Sequence, residues 1–314
     1  MPENKDLSHC VDSPHKISFA GWKSIILEVK NEIGADSVGI VSAGVAFYAF
    51  LAIFPAIMAL MSIYGLATDP QQIEQQLSEL AVMMPEQAFS LLKQRVDIFL
   101  STPGTTLGWG TAIGILFSIW SSNKGTKSLF EGIDIAYDTI ERRGFFKQIA
   151  MASIFTICGT ILMLLSLAFI VIFPAFMHKL GLPEDTEKII AILRWIVLAI
   201  IVTLFLCVIY QYAPTREKPS IKWVITGAIF STIVWLLASW GFSFYVSNYG
   251  NYGEVYGSIS AVVVLMLWLY ITCYIILLGA EINSEIDDYV HPDSIADYKV
   301  EKKDEKKSSN ALES

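Results

Sequence analysis

Six long apolar runs govern what this chain can fold into. They cover about 39–66, 105–121, 149–176, 189–212, 223–246 and 259–280. A helix needs roughly 20 mostly apolar residues to cross the hydrocarbon of a bilayer, within about 17 to 25. Every run meets that length, the second at the short limit. The expected fold class is all-α: a polytopic membrane protein with six transmembrane helices.

Orientation follows from the 22 lysines and arginines. Lys5, Lys16, Lys23 and Lys30 precede the first run. Lys124, Lys127, Arg142, Arg143 and Lys147 lie in the second connection, and Arg216, Lys218 and Lys222 in the fourth. Lys299, Lys302, Lys303, Lys306 and Lys307 are in the tail. The alternate connections hold only Lys93, Arg95, Lys179 and Lys188, while Arg194 lies inside a run. Cytoplasmic segments are the ones enriched in Lys and Arg. Both termini are therefore expected in the cytoplasm, in a bacterial inner membrane.

Three regions follow. Residues 1–38 form a cytoplasmic leader, 39–282 the membrane domain, and 283–314 a charged tail too poor in apolar residues to fold alone, expected to be disordered. The leader and first run do not have the pattern of a cleaved signal peptide. The composition is 54% hydrophobic and 17% charged, against roughly 25% charged in soluble domains. A net charge of −8, with no basic stripe, argues against a nucleic-acid partner. Membrane lipids are the expected partners, with an envelope protein as a further candidate; the oligomeric state is left open. Cys158, Cys207 and Cys273 fall within runs and Cys10 in the leader, so no disulfide is expected.

The connections carry pattern of their own. In the leader, Phe19, Trp22, Ile26, Val29 and Ile33 recur at helical spacing. They describe an interfacial amphipathic helix, lying on the cytoplasmic leaflet or packed on the ends of the bundle. In the first outward connection two amphipathic stretches, near 71–84 and 86–100, predict a helical hairpin. In the second connection a helix is expected over 124–143. Its apolar face is Leu129, Ile133, Ala136, Tyr137 and Ile140. Its acidic face is Glu131, Asp134, Asp138 and Glu141. Those carboxylates could serve a metal or acid–base chemistry, but a solvated face salt-bridged to Lys127 and Arg142 is the reading they fit better.

Inside the runs, Gly110, Gly114, Ser118 and Ser122 form a small-residue stripe suited to close helix packing. Pro55 withdraws a donor from the first span and predicts a kink. Arg194 lies near the outer end of the fourth span, where it can snorkel. Tyr256 and Gly257 lie in an outer loop rich in Tyr, Gly and Asn, suited to the interface or to a ligand headgroup. Glu281, at the inner end of the sixth span, is expected to pair with Arg142, Arg143 or Lys124, or to be capped by Asn123. The four histidines are scattered. No metal-ligand spacing, phosphate loop or G-x-S-x-G elbow occurs, so no cofactor, metal or catalytic residue is assigned.

Taken in order, several short elements resemble the YihY/BrkB family of bacterial inner-membrane proteins. They are Ala46-Phe47-Tyr48, Phe54-Pro55, Trp120-Ser121 with Asn123 and Gly125, Ala136-Tyr137, Glu141-Arg142, Tyr210 and Pro214. Gly227-Ala228, Tyr245, Tyr256-Gly257, Trp268 and Gly279-Ala280-Glu281-Ile282-Asn283 complete the pattern. Gln211 departs from it, standing where an arginine is expected after the tyrosine. The resemblance implies a six-span protein without an established catalytic site. It brings two functional labels, a virulence or serum-resistance factor and a tRNA-processing ribonuclease. An RNA-cleaving enzyme needs metal ligands or a placed acid–base pair and a basic track, and the sequence offers neither. Association of some members with envelope lipid traffic points to transport or lipid handling. A non-transporting assembly partner is the alternative, with a membrane-embedded enzyme behind it.

Overall fold

Ser18 caps the first helix by accepting a hydrogen bond from the Gly21 amide at 3.1 Å. That helix, α1 (Phe19–Ala35), is followed after two residues by α2 (Val38–Ala67). Ser37 at the break takes a positive φ of 52°, and the two helices diverge by 63° there. The computed structural model describes residues 14–67, 123–139, 143–179, 184–215, 220–248 and 257–291. The remaining helices are α3 (123–136), α4 (Phe145–Lys179), α5 (Glu184–Tyr212), α6 (Ile221–Asn248) and α7 (Ser260–Val290). Among the described residues there is no strand. The expected outer hairpin, the second apolar run and the tail after His291 lie outside them, whereas residues 283–290 of the expected tail are helical.

Four helical segments are long and apolar enough to cross a membrane, in α4, α5, α6 and α7; the bent α1–α2 pair raises the number to five. Their outward faces agree with lipid contact. Ile154, Ile161, Leu204, Ile233, Leu237 and Trp240 are all exposed, and a bilayer supplies the solvent such side chains need.

The described helices belong to two compact units. One comprises Met1–Val45, Leu129–Arg143 and Leu162–Ser314, the other Ala46–Ser128 and Gly144–Ile161. In the first unit α6 packs against both α5 and α7, and α1 packs along the end of α7. Ile17, Ile25 and Val29 meet Trp223, Ile286 and Val290 in one buried cluster. This is the bundle-packed form of the leader helix, on a face rotated from the expected one: Phe19 and Ile26 are exposed, while Gly21 and Ile25 are buried. Gly21 makes that contact close: a Cβ there would stand 2.7 Å from the Tyr289 hydroxyl, so the tyrosine would have to shift. The same cluster explains why α7 continues to Val290, ten residues beyond the apolar run. Ile282, Ile286 and Val290 extend an apolar face that α1 covers.

Helix α3 stops earlier than its sequence pattern suggests. Asp138 adopts a left-handed φ of 54°. The Asp138 amide donates to the Ile135 carbonyl at 2.8 Å and the Thr139 amide to the Asp134 carbonyl at 2.7 Å. That pair of bonds is a Schellman stop with aspartate in the place glycine usually takes. Periodicity alone could not place it, because the apolar spacing runs on to Ile140.

Candidate functional site

Helices α5, α6 and α7 meet through two glycines. A Cβ on Gly227 would collide with the Gly279 carbonyl and stand 2.6 Å from the Asn283 side chain. A Cβ on Gly279 would occupy the position of Ser231 Oγ. Small residues let backbones approach when lipid removes the hydrophobic drive for helix association. Here the approach brings polar groups into register. Tyr210 Oη donates to the Ile276 carbonyl at 2.7 Å and lies 3.0 Å from Ser231 Oγ, whose single proton is shared between Tyr210 Oη and the Ile275 carbonyl at 3.1 Å. Asn283 accepts from the Gly227 amide at 2.8 Å and donates to the Val224 carbonyl at 3.1 Å. Tyr210, Ser231 and Asn283 are buried, and a buried polar group must be satisfied within the protein. The knot therefore fixes the mutual register of three helices.

A second cluster clasps the chain after α5. Asp134 accepts from the Thr215 amide at 2.8 Å, from Thr215 Oγ1 at 3.0 Å and from Thr139 Oγ1 at 2.8 Å. Arg143 donates from Nη2 to the carbonyls of Tyr212, Ala213 and Pro214 at 3.2, 2.7 and 2.6 Å. A cation at a helix C-terminus satisfies orphan carbonyls and opposes the negative end of the dipole. Asp134 is thus no member of a solvated face; it is 3% exposed. Burial of its neighbours Phe130, Ile133 and Tyr137 turns it inward. Glu131 does face outward.

Glu281 departs from expectation. Its side chain is 1% exposed, and neither carboxylate oxygen has a hydrogen-bond partner. Of the cations expected beside it, Arg143 caps α5, and Arg142 lies outside the described residues. Asn123 is engaged in the second unit, where its Nδ2 donates to Ser153 Oγ at 2.9 Å.

That bond belongs to a polar seam in the second unit, where α3 faces α4. Thr126 and Thr156 share a hydroxyl bond of 2.6 Å, and Thr156 Oγ1 reaches Asn123 Oδ1 at 3.4 Å. Lys127 Nζ donates to Gln148 at 3.1 Å and stands 5.4 Å from the Phe145 ring centroid. On the other side of α3, Gly125 faces the Ala49 backbone, where a Cβ would lie at an ordinary contact distance of 3.5 Å. Along α4 the hydroxyls of Ser153, Thr156 and Thr160 each donate to the carbonyl four residues back, at 2.8, 2.7 and 2.7 Å. From Gln148 to Thr160 the seam follows about 18 Å of helix at the usual rise, through one of the membrane-length segments.

The other singled-out residues do not join these clusters. Pro55 lies within α2, which is helical on both sides of it, and Arg194 lies within α5; neither side chain is described. Tyr256 is outside the described residues. Gly257 opens a short 3-10 turn before α7 with a φ of 54°, which glycine takes without strain. Among the described residues no group of His, Cys, Asp or Glu is placed to hold a metal ion. Reading the chain residue by residue passed over Ser153, Thr156, Ser231 and Thr215. Their only signal was a hydroxyl in or beside an apolar run, which many inert helices share.

The chain matches a family described as Virulence factor BrkB over residues 29–305. It is 31% identical over 251 residues to a protein of Bacillus subtilis (strain 168) named ribonuclease-like protein YfkH, covering 77% of this chain and 88% of that one. It is 32% identical over 87 residues to a UPF0761 membrane protein of Xanthomonas campestris pv. campestris (strain B100), covering 27% of this chain and 20% of that one. No solved structure matches. With the match reaching from α1 past the end of α7, and with the helices to fit it, the chain is an integral membrane protein belonging to the BrkB (YihY/BrkB) family.

Proposed function

We propose that this protein handles envelope lipids without catalysis, admitting a polar headgroup along the α3–α4 seam while the acyl chains stay in the bilayer. The supporting observation is the double bonding of the seam. Ser153 and Thr156 each hold a bond to their own helix besides the one across to α3. A headgroup can replace the cross-helix partner and leave neither hydroxyl unsatisfied. Lys127, over Phe145 at one end, offers a cation to a phosphate. The exposed Phe145, Phe146, Ile154, Ile157 and Ile161 beside the seam suit acyl chains.

Full-length protein reconstituted into liposomes carrying a headgroup-labelled phospholipid tests this. Addition of a membrane-impermeant quencher should reach more label than in protein-free vesicles, and the double variant Asn123→Leu/Thr156→Val should lose the excess. Vesicles indistinguishable from protein-free controls would sink the proposal.

The protein is further proposed to lie in the bacterial inner membrane, with six spans and both termini in the cytoplasm. The asymmetry of Lys and Arg supports this. A periplasm-active reporter fused after Ser314 should be silent, and activity would reverse the assignment. A scaffold role is the second reading, and the closely packed α5–α6–α7 knot favours it.

A further inference from the structure

We propose that Glu281 is a proton-binding site: its carboxyl carries a proton in the packed conformation, and loss of that proton loosens the junction of α7 with α1 and the turn after α3. The inference is independent of any transported substrate.

Three observations lead here. First, Glu281 is sealed. It is 1% exposed and neither oxygen has a hydrogen-bond partner. A buried carboxylate that is ionised, unpaired and without donors is far more costly than the neutral acid, so such a group takes up a proton unless a cation joins it. Second, among the described residues the groups that act on it electrostatically are acidic. They are Glu32 of α1, Asp36 of the α1–α2 turn, Asp138 of the turn after α3 and Glu285 of α7. These acids are half-buried, and their negative charge favours a neutral Glu281. Third, the cluster is not arranged to share a metal, since among the described residues no three acids converge on one point. The proton is the one cation that needs no further ligands.

The junction is built to respond. Ser37, beside Asp36, and Asp138, itself one of the acids, both take left-handed backbone conformations. Glu281 itself lies between Gly279 and Asn283, which hold α7 to α6. Transfer of the proton to water leaves a buried carboxylate without a hydrogen-bond partner, and separation of α1 and the 138 turn from α7 is the movement that hydrates it.

The test uses full-length protein in lipid nanodiscs, comparing the natural chain with Glu281→Gln, whose amide copies the neutral acid. Infrared spectra at neutral pH should contain a protonated-carboxyl stretch that the variant lacks. An acid protonated when folded and ionised when unfolded makes stability fall as pH rises. The melting temperature of the natural chain should therefore decline from acid through neutral to alkaline pH, and that of Glu281→Gln should decline less. The idea is overturned if the band survives in Glu281→Gln or is absent from the natural chain. It also fails if both proteins share one pH slope, or if Glu281→Gln does not fold. A melting temperature raised by sodium or magnesium chloride at constant ionic strength, only when Glu281 is present, would replace the proton with a metal ion.

Discussion

The α5–α6–α7 knot and the α3–α4 seam both place hydroxyls and amides between membrane helices, yet they are built oppositely. In the knot each side chain reaches a neighbouring helix. Tyr210 of α5 meets Ser231 of α6 and the Ile276 carbonyl of α7, and Asn283 of α7 bonds to Gly227 and Val224 of α6. Glycines bring the backbones together, so nothing can move without stranding a buried polar group. In the seam every α4 hydroxyl is satisfied by its own helix first. The bonds to α3 are additions that can be exchanged. Polar residues in a membrane thus act as rivets or as a replaceable lining, according to where their first hydrogen bond goes.

The contrast would break most decisively at Gly227. Gly227→Ala should destabilise the protein by about 3 kcal/mol, the upper end of overpacking, because the Gly279 carbonyl and Asn283 are backbone-anchored and cannot yield. Thermal melting in detergent would read this, with Gly241→Ala as control, since nothing lies within 4 Å of a Cβ there. Equal melting of the two variants would mean the knot is loose. A smaller loss is expected at Asp134→Ala, about 1–3 kcal/mol for leaving the half-buried Thr215 amide without its acceptor. Protease sensitivity of the segment after α5 should rise in parallel; an unchanged cleavage pattern would remove the clasp from the account. The seam should respond least. Thr156→Val alone should cost about 0.6 kcal/mol, the average for a hydrogen bond between membrane helices. A loss as large as that of Gly227→Ala would make the seam a second knot and remove its proposed role.

Much of this architecture was readable from the chain. Apolar runs marked α2, α4, α5, α6 and α7 to within a few residues at most ends, because a bilayer imposes both a length and an apolar surface on any helix that crosses it. The exceptions have particular causes. Helix α7 overruns its apolar stretch because α1 covers Ile286 and Val290. Helix α3 falls short because Asp138 accepts a left-handed backbone that its residue type permits without announcing. The fate of charge was the least readable. Asp134 and Glu281 look alike in sequence, acids beside apolar residues. One receives hydrogen bonds from Thr139 and Thr215, and the other has no partner.

The sequence by itself therefore determined an all-helical membrane protein and the approximate extent of its long helices, since hydrophobic length and period are properties of single segments. It also carried, in the order of short motifs from Ala46 to Asn283, the family to which the chain belongs. Only the tertiary structure decided which groups meet. The knot joins residues as far apart as Tyr210 and Ile276, the clasp joins Asp134 to Thr215, and the acids around Glu281 come from three separate stretches of chain. No local pattern encodes those meetings. They depend on how closely two backbones approach, and that distance is set by a missing Cβ at Gly227 or Gly279 acting on a helix distant in the chain.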